Sequence, residues 1–383
     1  MAVLASPIPA STRAPAHRIA EIRVWTTTLT SHVAYEMAAG KRCAAVETVV
    51  LSLTTDSGLV GWGEVCPIPH YLPAYARGVA PGVAEVAPAL LGADATGPEA
   101  AIAACMRVLP GHPFVHSPID IALWDLLGKI AGQPLSALLG GRRAAALPVY
   151  HSITCIDPHE MARIAQEAQA QGVTQFQVKL GADDDWAADA ARLTLVREAL
   201  GPGPLVYGDW NCGATSLDAS RVARAVAHLD VMLEQPCRTL EECARVRAAA
   251  GLPMKLDEGV HDTASLIAAH RAGCLDAAAI KLSKFGGLSA ARQARDLCQQ
   301  LGVKMCVEDT WGSDVATAAA LALGASCDQR FLLNVCDLSG YVSPRLAPDG
   351  PTRRDGRIAP PEGPGLGVEP DPALLGAPDL VLA

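Results

Sequence analysis

Five residues able to do acid–base or metal chemistry stand at the ends of short apolar runs. Val206-Tyr207-Gly208-Asp209, Val231-Met232-Leu233-Glu234 and Met254-Lys255-Leu256-Asp257 each close on an acid, while Gln177-Val178-Lys179 and Ile280-Lys281 close on a lysine. Three carboxylates brought to one rim repel one another and need a cation. Oxygen-only ligation without Cys or His selects a hard ion, Mg²⁺ before Mn²⁺. Asp209, Glu234 and Asp257 are therefore the candidate ligands of one divalent ion. Any one of these acids is as readily a solvated loop residue or a helix cap; three in register on successive strands argue for a site. Glu258 follows Asp257 directly. Side chains alternate along a strand, so only one of the two points at the ion, and which one does so stays open.

Lys179 and Lys281 fall on the second and sixth of these runs, across from each other. A lysine at a dry rim beside a cation has its pKa lowered, because desolvation and a nearby positive charge both disfavour the ammonium. Such a lysine works as a base near neutral pH. The competing reading pairs each lysine with the same acids, as part of the framework. Taken together, two lysines suit acid–base work on opposite sides of one carbon.

The elements that must position these groups repeat. Apolar segments begin near Val149, Phe176, Leu205, Val231, Met254, Ala277, Lys304 and Phe331, separated by helix-like stretches over 158–171, 185–200, 216–229, 239–250, 263–273, 287–301 and 313–324. Eight strand–helix units at roughly 25–30 residues each predict a (β/α)8 barrel of α/β class, whose chemistry collects at the C-terminal strand ends. Ahead of them, residues 45–54 and 59–65 read as a hairpin around Asp56-Ser57-Gly58, and helical patterns follow over 82–92, 98–108 and 117–131. This predicts an α+β capping domain over 17–145, a barrel over 146–340 and a segment over 341–383 that returns to the cap. Glu64, on the second hairpin strand, reads as structural. The loop Pro67-Ile68-Pro69-His70-Tyr71-Leu72-Pro73 is a candidate lid that would select substrate through Tyr71 or Tyr75, or else a plain surface turn.

Composition narrows the function classes. Of 383 residues, 31 are basic and 40 acidic, and a net charge of −9 argues against bulk binding to nucleic acid or an anionic membrane. No apolar run is long enough to span a bilayer, and the N-terminus lacks the basic start of a signal peptide. The 12 cysteines form no C-x-x-C pair, so free thiols in a reducing cytoplasm are expected. Gly286-Gly287 has no accompanying P-loop or dinucleotide fingerprint, and no G-x-S-x-G elbow occurs. A catalytically dead barrel serving as a binding subunit is the alternative class, and retention of all three acids and both lysines favours an enzyme.

The ordered motifs carry a resemblance. Ile119-Asp120-Ile121-Ala122-Leu123-Trp124-Asp125 with Leu138-Leu139-Gly140-Gly141, then Lys179, the three acids, Lys281 with Gly286-Gly287-Leu288, and Gly363-Pro364-Gly365-Leu366-Gly367 resemble the enolase superfamily over about residues 20–370. The branch is that of the mandelate racemase/muconate lactonizing enzyme family with two opposed lysines. One departure is Gln177, where the family usually has a further lysine. The absence of a His ending strand seven argues against the mandelate-racemase-like His–Asp dyad. The segments Leu233-Glu234-Gln235-Pro236-Cys237, Lys281-Leu282-Ser283-Lys284-Phe285 and Glu308-Asp309-Thr310-Trp311-Gly312 look like those of enzymes acting on proline derivatives, the cis-3-hydroxy-L-proline dehydratases and the betaine 2-epimerases.

That resemblance implies a modified barrel under a cap and a Mg²⁺-dependent lyase acting on a small imino acid. The reaction would remove the α-proton, pass through an enediolate and expel hydroxide, giving Δ1-pyrroline-2-carboxylate. Epimerisation of proline betaine or hydroxyproline betaine is the alternative, and dipeptide epimerisation a more remote one. A homo-oligomer is expected. Candidate substrate contacts are Tyr71, His151, Asp309 and Trp311. Trp311 would offer its π face to the ring-nitrogen cation or simply pack, and His151 is equally well read as a core histidine.

Overall fold

A 19-residue strand that the sequence pattern did not reveal opens the fold. In the computed structural model, which describes residues 17–69, 72–183 and 185–383, β1 (Ile19–Met37) pairs antiparallel with β2 (Lys41–Thr55), which pairs with β3 (Val60–Val65). The Thr-rich stretch from Trp25 to Thr30 hides β1, because its alternation is interrupted by half-buried threonines. The β2–β3 turn falls at Asp56-Ser57-Gly58 as expected, with Gly58 at φ +83°. Three helices cover the sheet: α1 (Val79–Leu90), α2 (Pro98–Val108) and α3 (Pro113–Ala131). Proline opens α3, where its missing N–H costs nothing, and Gly132 ends it in the left-handed region at φ +62°. This helix is not amphipathic but buried on nearly every face, since it lies between the cap sheet and the barrel helices. The approach is close: a Cβ on Gly63 of β3 would sit 1.8 Å from the Pro118 carbonyl oxygen.

Eight parallel strands follow in sequential order: His151–Ile153, Gln175–Lys179, Leu205–Asp209, Met232–Glu234, Met254–Leu256, Ala277–Lys281, Lys304–Glu308 and Leu332–Val335. A parallel bridge between Val149 and Val335 joins the last strand to the first, curling the sheet into a modified barrel. The expected helices lie between the strands, although the one expected over 216–229 stops at Ala225. Tyr150, Tyr207, Met232, Ala277, Cys306 and Cys336 belong to a small core of their own. The last residues run back to the start of the chain: Val342–Ser343 and Leu380–Leu382 both pair with β1. All 12 cysteines are free thiols, and among the described residues no helix is long and apolar enough to cross a membrane.

Candidate active site

Parallel pairing sets the site's geometry. Lys179 is in register with Asp209, Asp209 with Glu234, and Lys281 with Glu308, so the strand ends bring these groups to one rim. Lys179 Nζ donates to Asp209 Oδ2 at 2.5 Å and to Asn211 Oδ1 at 3.0 Å. Lys281 Nζ donates to Asp257 Oδ2 at 2.6 Å, and Lys284 Nζ to Asp257 Oδ1 at 2.8 Å. Glu234 is gripped from two sides, by Gln177 Nε2 on Oε2 at 2.9 Å and by Lys255 Nζ 3.0 Å from Oε1. Every one of these groups is buried.

Burial and crowding shift the acids in opposite directions. Desolvation, followed by repulsion from Asp209, pushes Glu234 up to about 7. Desolvation and repulsion from Asp257 and Asp209 push Glu258 up to about 8. Asp257 is held well below the usual carboxylate range: burial opposes this, but the Lys281 and Lys284 ammoniums outweigh it. Burial alone would lower Lys281, yet the carboxylates of Asp257, Glu308 and Glu258 raise it. The lowering expected from sequence is for a lysine beside a bound cation, whose charge would offset the acids that here surround the ammonium. A base at this position needs countercharge on those acids.

The donor set suits a hard divalent ion. Asp209, Glu234, Asp257 and Glu258 supply only carboxylate oxygens, and Glu258 Oε2 is buried without a hydrogen-bond partner. The side chains as they stand are turned to the lysines, and among the described residues no group of three or more His, Cys, Asp or Glu closes up as a metal site. Glu258 also accepts from Asn211 Nδ2 at 3.2 Å.

Lys179 and Lys281 line one cavity of about 70 Å³, together with Gln177, Glu308, Asp309 and Trp311. Its roof is aromatic. Tyr35 from β1, Trp311 after the seventh barrel strand and Tyr341 from the C-terminal segment meet edge to face, with centroids 5.4–6.5 Å apart. Tyr341 is fixed there because its hydroxyl donates to the Tyr150 carbonyl and accepts from Ser152 N. Ile68, from the Pro-rich loop, also reaches the cavity.

The candidate substrate contacts divide. Trp311 faces the cavity with its Nε1 donor unpaired. Asp309 lines the wall, but its carboxylate already accepts from Ser283 and from Thr310 N, and burial pushes it up to about 6. His151 does not line the cavity: alternation turns Tyr150 and Ser152 inward, and the His151 ring stacks on Tyr341 at 6.4 Å. Burial, then the Arg353 charge, lowers it to about 4. Tyr71 lies outside the described residues. Tyr75 is 61% exposed and not part of the cavity wall. Sequence reasoning missed Tyr35, Tyr341 and Lys255. Tyr35 sat in the unrecognised strand and Tyr341 in a tail read as loop. Lys255 was legible, since it shares the inward parity of Asp257.

Residues 19–140 match the mandelate racemase/muconate lactonizing enzyme N-terminal domain, and residues 160–374 the enolase C-terminal domain-like family. The chain belongs to the enolase superfamily. It is 39% identical to the cis-3-hydroxy-L-proline dehydratase of Roseibium aggregatum over 90% of its length and 94% of that enzyme's. Similarity to the N-succinyl-L-Arg/Lys racemase of Bacillus cereus is lower, 27% over 73% of this chain and 76% of that one. A crystal structure of a superfamily member from Roseovarius nubinhibens, complexed with magnesium, superposes with TM-score 0.90 at 37% identity, covering 95% of this chain and 99% of that one. The chain is thus an enolase-superfamily enzyme whose named relatives include a dehydratase and a racemase.

Proposed function

We propose that this enzyme dehydrates cis-3-hydroxy-L-proline to Δ1-pyrroline-2-carboxylate with the help of Mg²⁺, in the cytoplasm. The observation carrying this reading is that Lys179 and Lys281 line one small cavity under an aromatic roof. About 70 Å³ is far below the roughly 300–1,000 Å³ of a pocket for drug-sized ligands. That favours a single small ring over a dipeptide. The similarity to a cis-3-hydroxy-L-proline dehydratase supports the same choice, and the free thiols suit a reducing compartment.

Asp209, Glu234 and Asp257 would hold the metal, with Glu258 beside them. When bound, the ion supplies positive charge against the substrate carboxylate as the α-proton leaves. In cis-3-hydroxy-L-proline the hydroxyl and carboxylate share a ring face, so the α-hydrogen is on the other. One lysine takes that proton; the C–O bond breaks toward the opposite face, where the second lysine, as ammonium, gives a proton to the departing hydroxide and water leaves. The remaining enamine shifts a proton from nitrogen to carbon and becomes the cyclic imine. The roof of Tyr35, Trp311 and Tyr341 faces the ring ammonium with π density.

The same roof suits a quaternary ammonium, which favours betaine 2-epimerisation as the second reading. There one lysine removes the α-proton and the other returns one to the opposite face. Proton NMR in D₂O over a panel of both substrate types separates them. Loss of the hydroxyl-bearing carbon signal with appearance of a cyclic imine is expected. Inversion with deuterium uptake favours the epimerase, and silence on the whole panel defeats both.

A further inference from the structure

Lys255 is the most deeply buried cation of the barrel, with no exposed surface, and the proton transfers proposed above make no use of it. Its ammonium lies 3.0 Å from Glu234 Oε1 and 3.7 Å from Glu308 Oε1. It also stands over the Tyr207 ring at 4.7 Å and near that of Tyr150 at 5.7 Å. Glu308 is tied off on its other oxygen by the Tyr150 hydroxyl at 2.5 Å. Glu234 is held on its other oxygen by Gln177 Nε2, whose own Oε1 accepts from Ser152 Oγ at 2.9 Å. Glu234 is thus caught between a neutral amide from the second strand and a full charge from the fifth.

We propose that Lys255 and Gln177 form a two-sided clamp that positions the Glu234 carboxylate for the divalent ion, with Lys255 the charged jaw. This rests on the reading of Glu234 as a ligand. Lys255 does not line the cavity, so it acts through Glu234 as a positioning residue. Outer partners that orient a ligand typically contribute about 10–100-fold in metal affinity or activity. A lysine serving only to balance buried acids would contribute to folding and leave affinity alone.

Mn²⁺ titration followed by electron paramagnetic resonance, on the full-length chain, distinguishes these roles without substrate. Lys255→Met is expected to weaken Mn²⁺ binding about 10–100-fold. Lys255→Met/Glu308→Gln removes one charge of each sign, so melting stability should recover while Mn²⁺ affinity stays low. Gln177→Leu removes the neutral jaw without changing the charge count and should weaken Mn²⁺ about tenfold; it serves where the lysine variants fail to fold. Wild-type affinity in Gln177→Leu or Lys255→Met, or recovery of both affinity and stability in the double variant, overturns the clamp. Failure of the wild-type chain itself to bind Mn²⁺ overturns the metal reading instead.

Discussion

Two sets of buried carboxylates occur in this molecule, one where the cap meets the barrel and one at the barrel rim. At the joint, Glu64 of β3 accepts from Thr48 Oγ1, Ser313 N, Ser313 Oγ and Ala316 N, all at 2.7–2.9 Å. Asp120 of α3 accepts from Ser289 N and Oγ; Asp125, on the same helix, accepts from Trp62 N and Leu366 N and pairs with Lys129 Nζ at 2.9 Å, tying the helix to the cap sheet and the C-terminal segment. Ser313 and Ser289 stand at the starts of barrel helices, where free N–H groups and the helix dipole favour an anion. At the rim, by contrast, Asp209 and Asp257 are held by lysine ammoniums, and Glu258 keeps an oxygen with no partner. The lesson is one of satisfaction. Carboxylates such as Glu64 and Asp120, met on both oxygens by backbone and hydroxyl donors, weld two layers together, whereas the rim acids are crowded together and balanced by lysine ammoniums.

The rim should therefore be sensitive in turnover, and most of all at the lysines. Lys179→Met and Lys281→Met are each expected to reduce dehydration by about 10²–10⁴-fold with the fold retained by circular dichroism. If only one of them abolishes solvent exchange of the α-hydrogen, that residue is the base. Near-native dehydration in either variant breaks the two-lysine mechanism.

Next come the metal and its acids. EDTA should abolish activity and Mg²⁺ restore it; full turnover by the stripped protein removes the metal from the mechanism. Asp257→Asn is expected to lose more activity than Glu258→Gln, because Asp257 is the acid kept fully ionised by two lysines. The reverse ranking would assign the ligand to Glu258.

How far the sequence reaches follows the same division. The barrel was legible because eight apolar runs recur at an even spacing, and their terminal acids and lysines fall on one parity. Joint acids such as Asp120 and Asp125 were visible as a motif, but not their role, since their partners Ser289 and Leu366 lie 169 and 241 residues away. Tyr35 and Tyr341 were invisible for the same reason: a roof assembled from three distant segments has no local pattern. His151, equally well read as a core histidine, falls one step of strand alternation away from the cavity wall.

The joint should respond in stability more than in turnover. Glu64→Gln keeps the shape but turns two donor protons toward Ser313 and Ala316, which themselves donate. The expected cost is about 1–3 kcal/mol in denaturant unfolding, with kcat within a few-fold of wild type. A large loss of kcat at unchanged stability would place Glu64 in the chemistry and erase the distinction between the two regions.

The last effect expected is in the pH dependence of stability, through Asp120. Desolvation raises its carboxyl to about 7 against the lowering effect of the Ser289 donors, with repulsion from Glu99 adding to the rise. An unfolded aspartate titrates near about 4. Because the folded value lies above the unfolded one, the stability this group contributes is fully present below about pH 4 and is lost as pH rises through about 7. The slope cannot exceed about 1.4 kcal/mol per pH unit for one proton. Asp120→Asn presents an amide that does not titrate, so any deficit relative to wild type should shrink as pH rises across this window and level off above it. Taking the difference between the two proteins cancels the other buried acids, Glu64, Glu234 and Glu258 among them. Parallel stability profiles from acid to neutral pH would mean that Asp120 titrates alike in the folded and unfolded chain, the Ser289 donors offsetting the cost of burial.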